Sequence, residues 1–243
     1  MEVRAGKRGG VAGYLSERML RTAGFVSSGN RTADVGCDHA YTSIYLVEQG
    51  IAPHVVAMDV NAGPLSKAQE NVKRFGMEDR ITLRLSDGLA KLSPGEADTV
   101  LIAGMGGPLM ERILSAHPET VKTVKELVLQ PQSELVEFRR FLHTNGFCIT
   151  EEDMLCEDGK YYTILRAEHG EEELWTEAEY LYGKRFRASA YPVLREFLAE
   201  ERKKAEEVLT GLAAAGTEKA ERRKEEVMLR LAQNEAMRKK LAK

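Results

Sequence analysis

From Arg31 to Gly170, short β-branched and apolar runs alternate with longer stretches whose apolar residues recur at helical spacing. The short runs, at 32–35, 55–58, 81–85, 99–103 and 127–130, read as strands. The stretches between them, at 41–48, 64–75, 109–115 and 133–144, read as amphipathic helices. Strand and helix in alternation predict parallel strands joined by right-handed crossovers, hence an open doubly wound α/β sheet covered on both faces. The alternation then stops. Two strand-like runs, 147–155 and 161–167, flank Glu157-Asp158-Gly159-Lys160, a turn signal, and predict a terminal hairpin that inserts one strand antiparallel to the rest.

The flanks have a different texture. Residues 1–13 are rich in Gly and Arg and read as a mobile extension, followed by a short helix opening at Leu15-Ser16-Glu17-Arg18-Met19-Leu20 with Ser16 as its N-cap. After Gly170 strand signals end. Leu194, Phe197, Leu198, Ala205, Val208, Leu209 and Leu212 mark one helical face, with Pro192 near its start and Gly216 in the turn after it. Val227, Leu231, Met237 and Leu241 continue a thinner stripe, so 171–243 is predicted to be a coiled-coil-like helical domain appended to a domain over 1–170.

Charge changes the picture more than size does. The net charge of −3 divides into +4 over residues 1–31, −8 over 32–170, −5 over 171–182 and +6 over 183–243. Basic flanks around an acidic middle suit a polyanion held at the ends and different chemistry at the centre. No apolar run is long enough to cross a membrane, and the N-terminus carries no secretory signal. Cys37, Cys148 and Cys156 form no CxxC pair, which points to reduced thiols and a cytoplasmic protein. His39, His54, His117, His143 and His169 are scattered singly, so no metal is expected.

In a doubly wound sheet a ligand sits at the carboxyl ends of the strands. After the first predicted strand comes Asp34-Val35-Gly36-Cys37-Asp38-His39-Ala40, where one glycine admits a ligand to the backbone and two carboxylates disfavour a pyrophosphate. The second ends at Asp59, suited to both hydroxyls of a ribose. Asp87-Gly88 follows the third and Ala103-Gly104-Met105-Gly106-Gly107 the fourth. The implied ligand has a ribose, positive charge and no phosphate, which S-adenosylmethionine satisfies. The fourth loop lacks the Asn/Asp-Pro-Pro-aromatic turn used on exocyclic amines, and no cysteine is placed for pyrimidine C5 attack. A ring nitrogen with a free lone pair, such as adenine N1, needs neither device.

Leu15-Ser16-x-Arg18-Met19, Asp34-x-Gly36-Cys37-Asp38-His39-Ala40, Asp87-Gly88-Leu89, Ala103-Gly104-Met105-Gly106-Gly107 and Leu129-Gln130-Pro131 together resemble the TrmK family, bacterial tRNA methyltransferases acting on N1 of adenine 22. The resemblance spans 15–170; Gln132 departs from it, since Asn follows Gln-Pro in that family. It implies a class I methyltransferase-like fold with Asp34, Gly36, Cys37, Asp38 and His39 at the methionine end of the cofactor. Asp59 with Val60 would hold the ribose, and Asp87 with Gly88 the adenine. Ala103, Gly104, Met105 and Gly106 would lie beside the sulfonium and target base, bordered by Gln130 and Gln132. Asp38, His39, Met105, Gln130 and Gln132 are the catalytic candidates. Arg18, Arg21, Lys184, Arg185, Arg187, Arg202, Lys203 and Lys204 would grip the tRNA backbone, with the chain a monomer or weak dimer. Two other readings stay open: a methyltransferase of another RNA or a small molecule, and an inactive RNA-binding or scaffold protein.

Overall fold

A computed structural model describes residues 10–212 and 217–242 of the 243; the Arg-rich residues 1–9 and the expected turn at Gly216 lie outside the described residues. Residues Val11–Tyr14 form a 3-10 turn in which Val11 is fully buried and its amide donates to the Glu48 carboxylate. The extension expected to be mobile through residue 13 is therefore anchored from Val11 onward. Its apolar side chain is what the Gly- and Arg-rich composition concealed.

α1 (Glu17–Ala23) starts where Ser16 accepts a bond from the Met19 amide, as its capping position predicts. Then come β1 (Thr32–Val35), α2 (Tyr41–Glu48), β2 (Val55–Asp59), α3 (Ala62–Arg74), β3 (Ile81–Leu85) and β4 (Thr99–Met105). They continue into α4 (Gly107–Ala116), a short α5 (Pro118–Val121), β5 (Glu126–Pro131) and α6 (Leu135–Thr144). The helix expected from 133 begins at Leu135, because Glu134 adopts a left-handed conformation (φ 48°) that stops the turn from starting earlier.

β6 (Phe147–Glu157) and β7 (Lys160–His169) form the hairpin. Asp158 and Gly159, at φ 51° and 73°, supply the two positive-φ residues that a two-residue hairpin turn of right-handed twist requires. The seven strands lie in the order β3-β2-β1-β4-β5-β7-β6, with β1 to β5 parallel and β7 antiparallel to β5. β1 and β4 are neighbours although their crossovers run to opposite sides, and that reversal opens a crevice at their carboxyl ends. The amino ends are closed by Glu126, whose buried carboxylate accepts from the Ser27 amide at 2.8 Å and the Thr99 hydroxyl at 2.7 Å.

The chain folds as two compact units, Met1–Thr150 with Tyr162–Glu172, and Glu151–Tyr161 with Glu173–Lys243. The division passes through the hairpin, whose tip groups with the C-terminal helices: Met154 is buried with Tyr182, Phe186, Leu194, Leu198 and Met237, and Tyr161 packs on them. That second unit contains α7 (Glu177–Tyr182), α8 (Tyr191–Leu212) and α9 (Glu218–Leu241). A reciprocal capping box between Thr176 and Glu179 starts α7 in the glutamate-rich opening of the predicted helical domain. α8 and α9 run antiparallel, with Asn234 Nδ2 donating to the Leu198 carbonyl at 2.9 Å and Arg230 paired with Glu201. Among the described residues no helix is long and apolar enough to cross a membrane.

Candidate functional site

The crevice at the carboxyl ends of β1 and β4 is a cavity of about 350 Å³, within the ~300–1,000 Å³ range of small-molecule sites. One wall is the loop after β1. Gly36 turns it at φ 76°, and a side chain there would collide with Met105 Cε. The Gly36 and Cys37 amides donate to the Met58 carbonyl at 2.8 and 2.9 Å. Asp59 then accepts the Asp38 amide at 3.2 Å on one oxygen and the Asn61 amide at 2.8 Å on the other. Asn71 Nδ2 holds the His39 carbonyl at 3.0 Å. Asp38 and Ala40 sit at φ 50° and 60°, a left-handed conformation costing on the order of 1 kcal/mol per such residue, so the loop's shape is imposed by these bonds.

Asp34, Gly36, Cys37, Asp38 and His39 line the cavity, and His39 Nε2 lies 3.5 Å from Asp38 Oδ1. Asp34 is nearly inaccessible, and Ser43 Oγ donates to it at 2.6 Å. Burial pushes its carboxyl up to about 6, the Ser43 bond opposing and the Asp59 charge adding. Burial likewise pushes the Cys37 thiol far up, helped by the Asp34 charge. Cys37 is thus a thiol, and no nucleophile, at working pH.

The opposite wall is Tyr14, Leu15, Ser16, Arg18 and Met19, none foreseen as a cofactor contact. Tyr14 stacks on Tyr41, also at the cavity, with ring centroids 4.8 Å apart. An aromatic residue directly before a capped helix was the available signal; in one sequence it reads equally as a core anchor. Arg18, among the residues expected at the RNA backbone, lines this cavity. Its guanidinium donates to Gln130 Oε1 at 2.6 Å and lies 5.1 Å from the Tyr162 ring centre.

Ala103 and Gly104 form the floor. A β-carbon on Gly104 (φ 78°) would have only Gln132 Nε2 and Arg18 as neighbours, at 3.8 and 3.9 Å, so backbone is open to a ligand there. Gln132 is exposed at this edge. Gln130 differs from its expected part at the target base: it is fully buried, its Oε1 shared between Arg18 and the Gly104 amide at 3.1 Å. Asp59, Val60, Asp87, Gly88, Met105 and Gly106 are not among the lining residues. Asp59 stands behind the loop it organises, and Ser86, before Asp87, donates its amide to the Asp59 carbonyl at 2.9 Å.

The residues present fit an S-adenosylmethionine-type ligand: open backbone at Gly104, a buried carboxylate at Asp34 and a second acid at Asp38. Among the described residues no cluster of His, Cys, Asp and Glu could hold a metal ion.

The bases expected on the flanks are largely in local ion pairs: Arg21 with Glu17 (2.8 Å), Arg187 with Glu151 (2.8 Å), Lys184 with Glu179 (3.9 Å), Arg202 with Glu206 (2.7 Å) and Lys204 with Glu200 (3.4 Å). Arg185 donates its backbone amide to Glu152, and Lys203 is exposed. The second unit also holds a groove of about 470 Å³ where Arg195, Arg202, Arg238 and Lys239 face a single carboxylate, Glu235. Three of those four bases come from positions the sequence pattern did not single out, because α8 and α9 share them.

A family model described as a methyltransferase domain matches residues 15–165. The Bacillus subtilis tRNA (adenine(22)-N(1))-methyltransferase is 36% identical over 159 residues, 65% of this chain and 67% of that protein. The crystal structure of B. subtilis TrmK superposes with a TM-score of 0.78 at 29% identity, over 91% of this chain and 97% of that one. A Streptococcus pneumoniae chain assigned to tRNA (m1A22) methylation, solved with S-adenosyl-L-methionine, matches at 32% identity with a TM-score of 0.79, over 91% and 98%.

Proposed function

This chain belongs to the TrmK family of tRNA methyltransferases, and from that membership and the site's geometry we propose how its residues divide the work. It methylates N1 of adenine 22 in tRNA at the expense of S-adenosylmethionine. The observation that carries the assignment to this crevice is the set of carboxylates and bare backbone at the carboxyl ends of β1 and β4. S-adenosylmethionine, when bound, supplies the methyl group as an electrophilic carbon on a sulfonium.

Asp34 and Asp38 hold the ammonium group. Asp59 accepts from the ribose while fixing the loop that carries Asp38. Gly104 admits ligand and target base to the floor, and Gln132 borders the base. N1 carries its own lone pair, so the site removes no proton before attack and acts by alignment and charge stabilisation. The product base is cationic, and the acidic centre of the chain favours it. N1 lies on the pairing edge, so a paired target must leave its stack to reach the cavity.

Bases of α8 and α9 at the groove of Arg195, Arg202, Arg238 and Lys239 hold the RNA backbone, with Lys203 beside them in sequence. The reaction takes place in the cytoplasm, where its substrate is, without a metal. The deciding experiment is incubation of the full chain with unmodified tRNA and labelled cofactor, followed by mapping of the modified atom. Label at N1 of adenine 22 is the expected result; label elsewhere overturns it.

A further inference from the structure

The segment after α7 and the facing ends of α8 and α9 enclose a further cavity of about 290 Å³. It adjoins the basic groove, since Arg195 and Leu241 line both. Its chemistry differs from the groove's. The bottom is apolar, where Phe186, Leu194 and Met237 belong to the buried core of the second unit. The rim is cationic: Lys184, Arg195 and Lys240 line it, and among the described residues no acid does. Glu179 pairs with both lysines from outside the lining, and one carboxylate leaves three cations in excess. An apolar bottom under a positive rim fits a ligand with a flat apolar body and an anionic end. The volume lies just under the ~300 Å³ at which drug-sized sites begin, which suits a single nucleobase.

The ring contacts point the same way. Tyr161 and Tyr182 each meet Phe197, with centroids 5.0 and 6.4 Å apart. Tyr191, half-buried at the start of α8 and on the cavity wall, stacks on no ring and meets no cation among the described residues. Such a ring is a stacking platform for a base. tRNA offers unpaired bases in its loops and ends, and proteins read these by splaying them onto aromatic side chains. Resting on the assignment of the neighbouring groove to RNA backbone, we propose that this cavity takes one unpaired base of the tRNA, stacked on Tyr191 with its phosphate at Arg195. Phosphate contacts alone carry no sequence information and let a protein slide along the backbone. A seated base fixes the register, which the groove by itself does not.

The test measures the tRNA affinity of the full chain over a range of salt concentrations. Tyr191→Ala should weaken binding about 5- to 150-fold without changing the slope of log affinity against log salt, because a stacked base releases no counterion. Tyr191→Phe keeps the ring and should bind as the wild type does. Leu241→Trp fills the cavity from its edge without emptying the core, and should weaken binding as Tyr191→Ala does. Both losses should vanish on a fully paired RNA duplex, which offers phosphates to the groove and no base to the pocket. Calorimetry should show S-adenosylmethionine affinity unchanged in all three variants. Wild-type tRNA affinity in either Tyr191→Ala or Leu241→Trp overturns the proposal, as does an equal loss on duplex RNA. A second copy of the chain seated in the cavity would appear as dimerisation abolished by Leu241→Trp at unchanged tRNA affinity, which also overturns it. Arg238→Glu combined with Lys239→Glu alters the groove and not this cavity. Wild-type affinity and salt slope in that variant would overturn the groove assignment, a separate failure.

Discussion

Asp59 satisfies two backbone amides, so its carboxylate anchors the loop that carries Asp38, and the proposed ribose contact would use the lone pairs those amides leave. Asp59→Ala is expected to weaken S-adenosylmethionine binding by about 1.5–3 kcal/mol, or roughly 10- to 100-fold in Kd by calorimetry. Unchanged affinity would remove Asp59 from the site. Asp34 sets a pH dependence. Its folded value, about 6, lies above the ordinary carboxylate range, so the folded chain holds this proton more tightly than the unfolded one. This group's contribution to stability therefore falls as pH rises from about 4 to about 6. An ammonium-bearing ligand favours the ionised form, so cofactor affinity should drop as pH falls below about 6, and Asp34→Asn should flatten that drop. Cys37 is buried and its thiol is pushed up, whereas Cys156 is exposed. Alkylation followed by peptide mapping should label Cys156 long before Cys37.

Elements owe their boundaries to local chemistry that was legible where a cap or turn is written in one short string. Ser16 before α1 and Asp158-Gly159 between β6 and β7 are such strings, and β1 and β3 end where their apolar runs end. α7 escaped because five glutamates in twelve residues mask a four-residue capping box. Thr176→Ala removes that box and should cost about 1 kcal/mol, read as a loss of a few degrees in thermal melting of the C-terminal helices. α5, a single turn set by Pro118, is too short for any periodicity to reveal.

At the scale of the whole molecule, tRNA binding is best tested without cutting the chain. A deletion of the C-terminal helices would strip Met154 and Tyr161 of the side chains they pack on, so lost binding would not report on charge. Glutamate substitutions at Arg195, Arg238 and Lys239 leave that cluster intact. Together they should weaken tRNA binding and lower the slope of log affinity against log salt by about one per lost phosphate contact, with cofactor affinity unchanged. Full tRNA affinity in that variant would exclude the groove from RNA binding.

Period and punctuation were enough to determine the α/β class, the terminal hairpin and the loops in which Asp34, Asp38, Asp59 and Gly104 lie, because strand ends and glycine turns are local and the switch point follows from alternation. The partners of each side chain depend on residues far apart in sequence. Only the folded chain brings Arg18 to Gln130, 112 positions away, and joins Arg195 with Arg238 and Lys239 in one groove. Hydrophobic periodicity says which face of an element is buried; which charge lies opposite is decided when the elements pack.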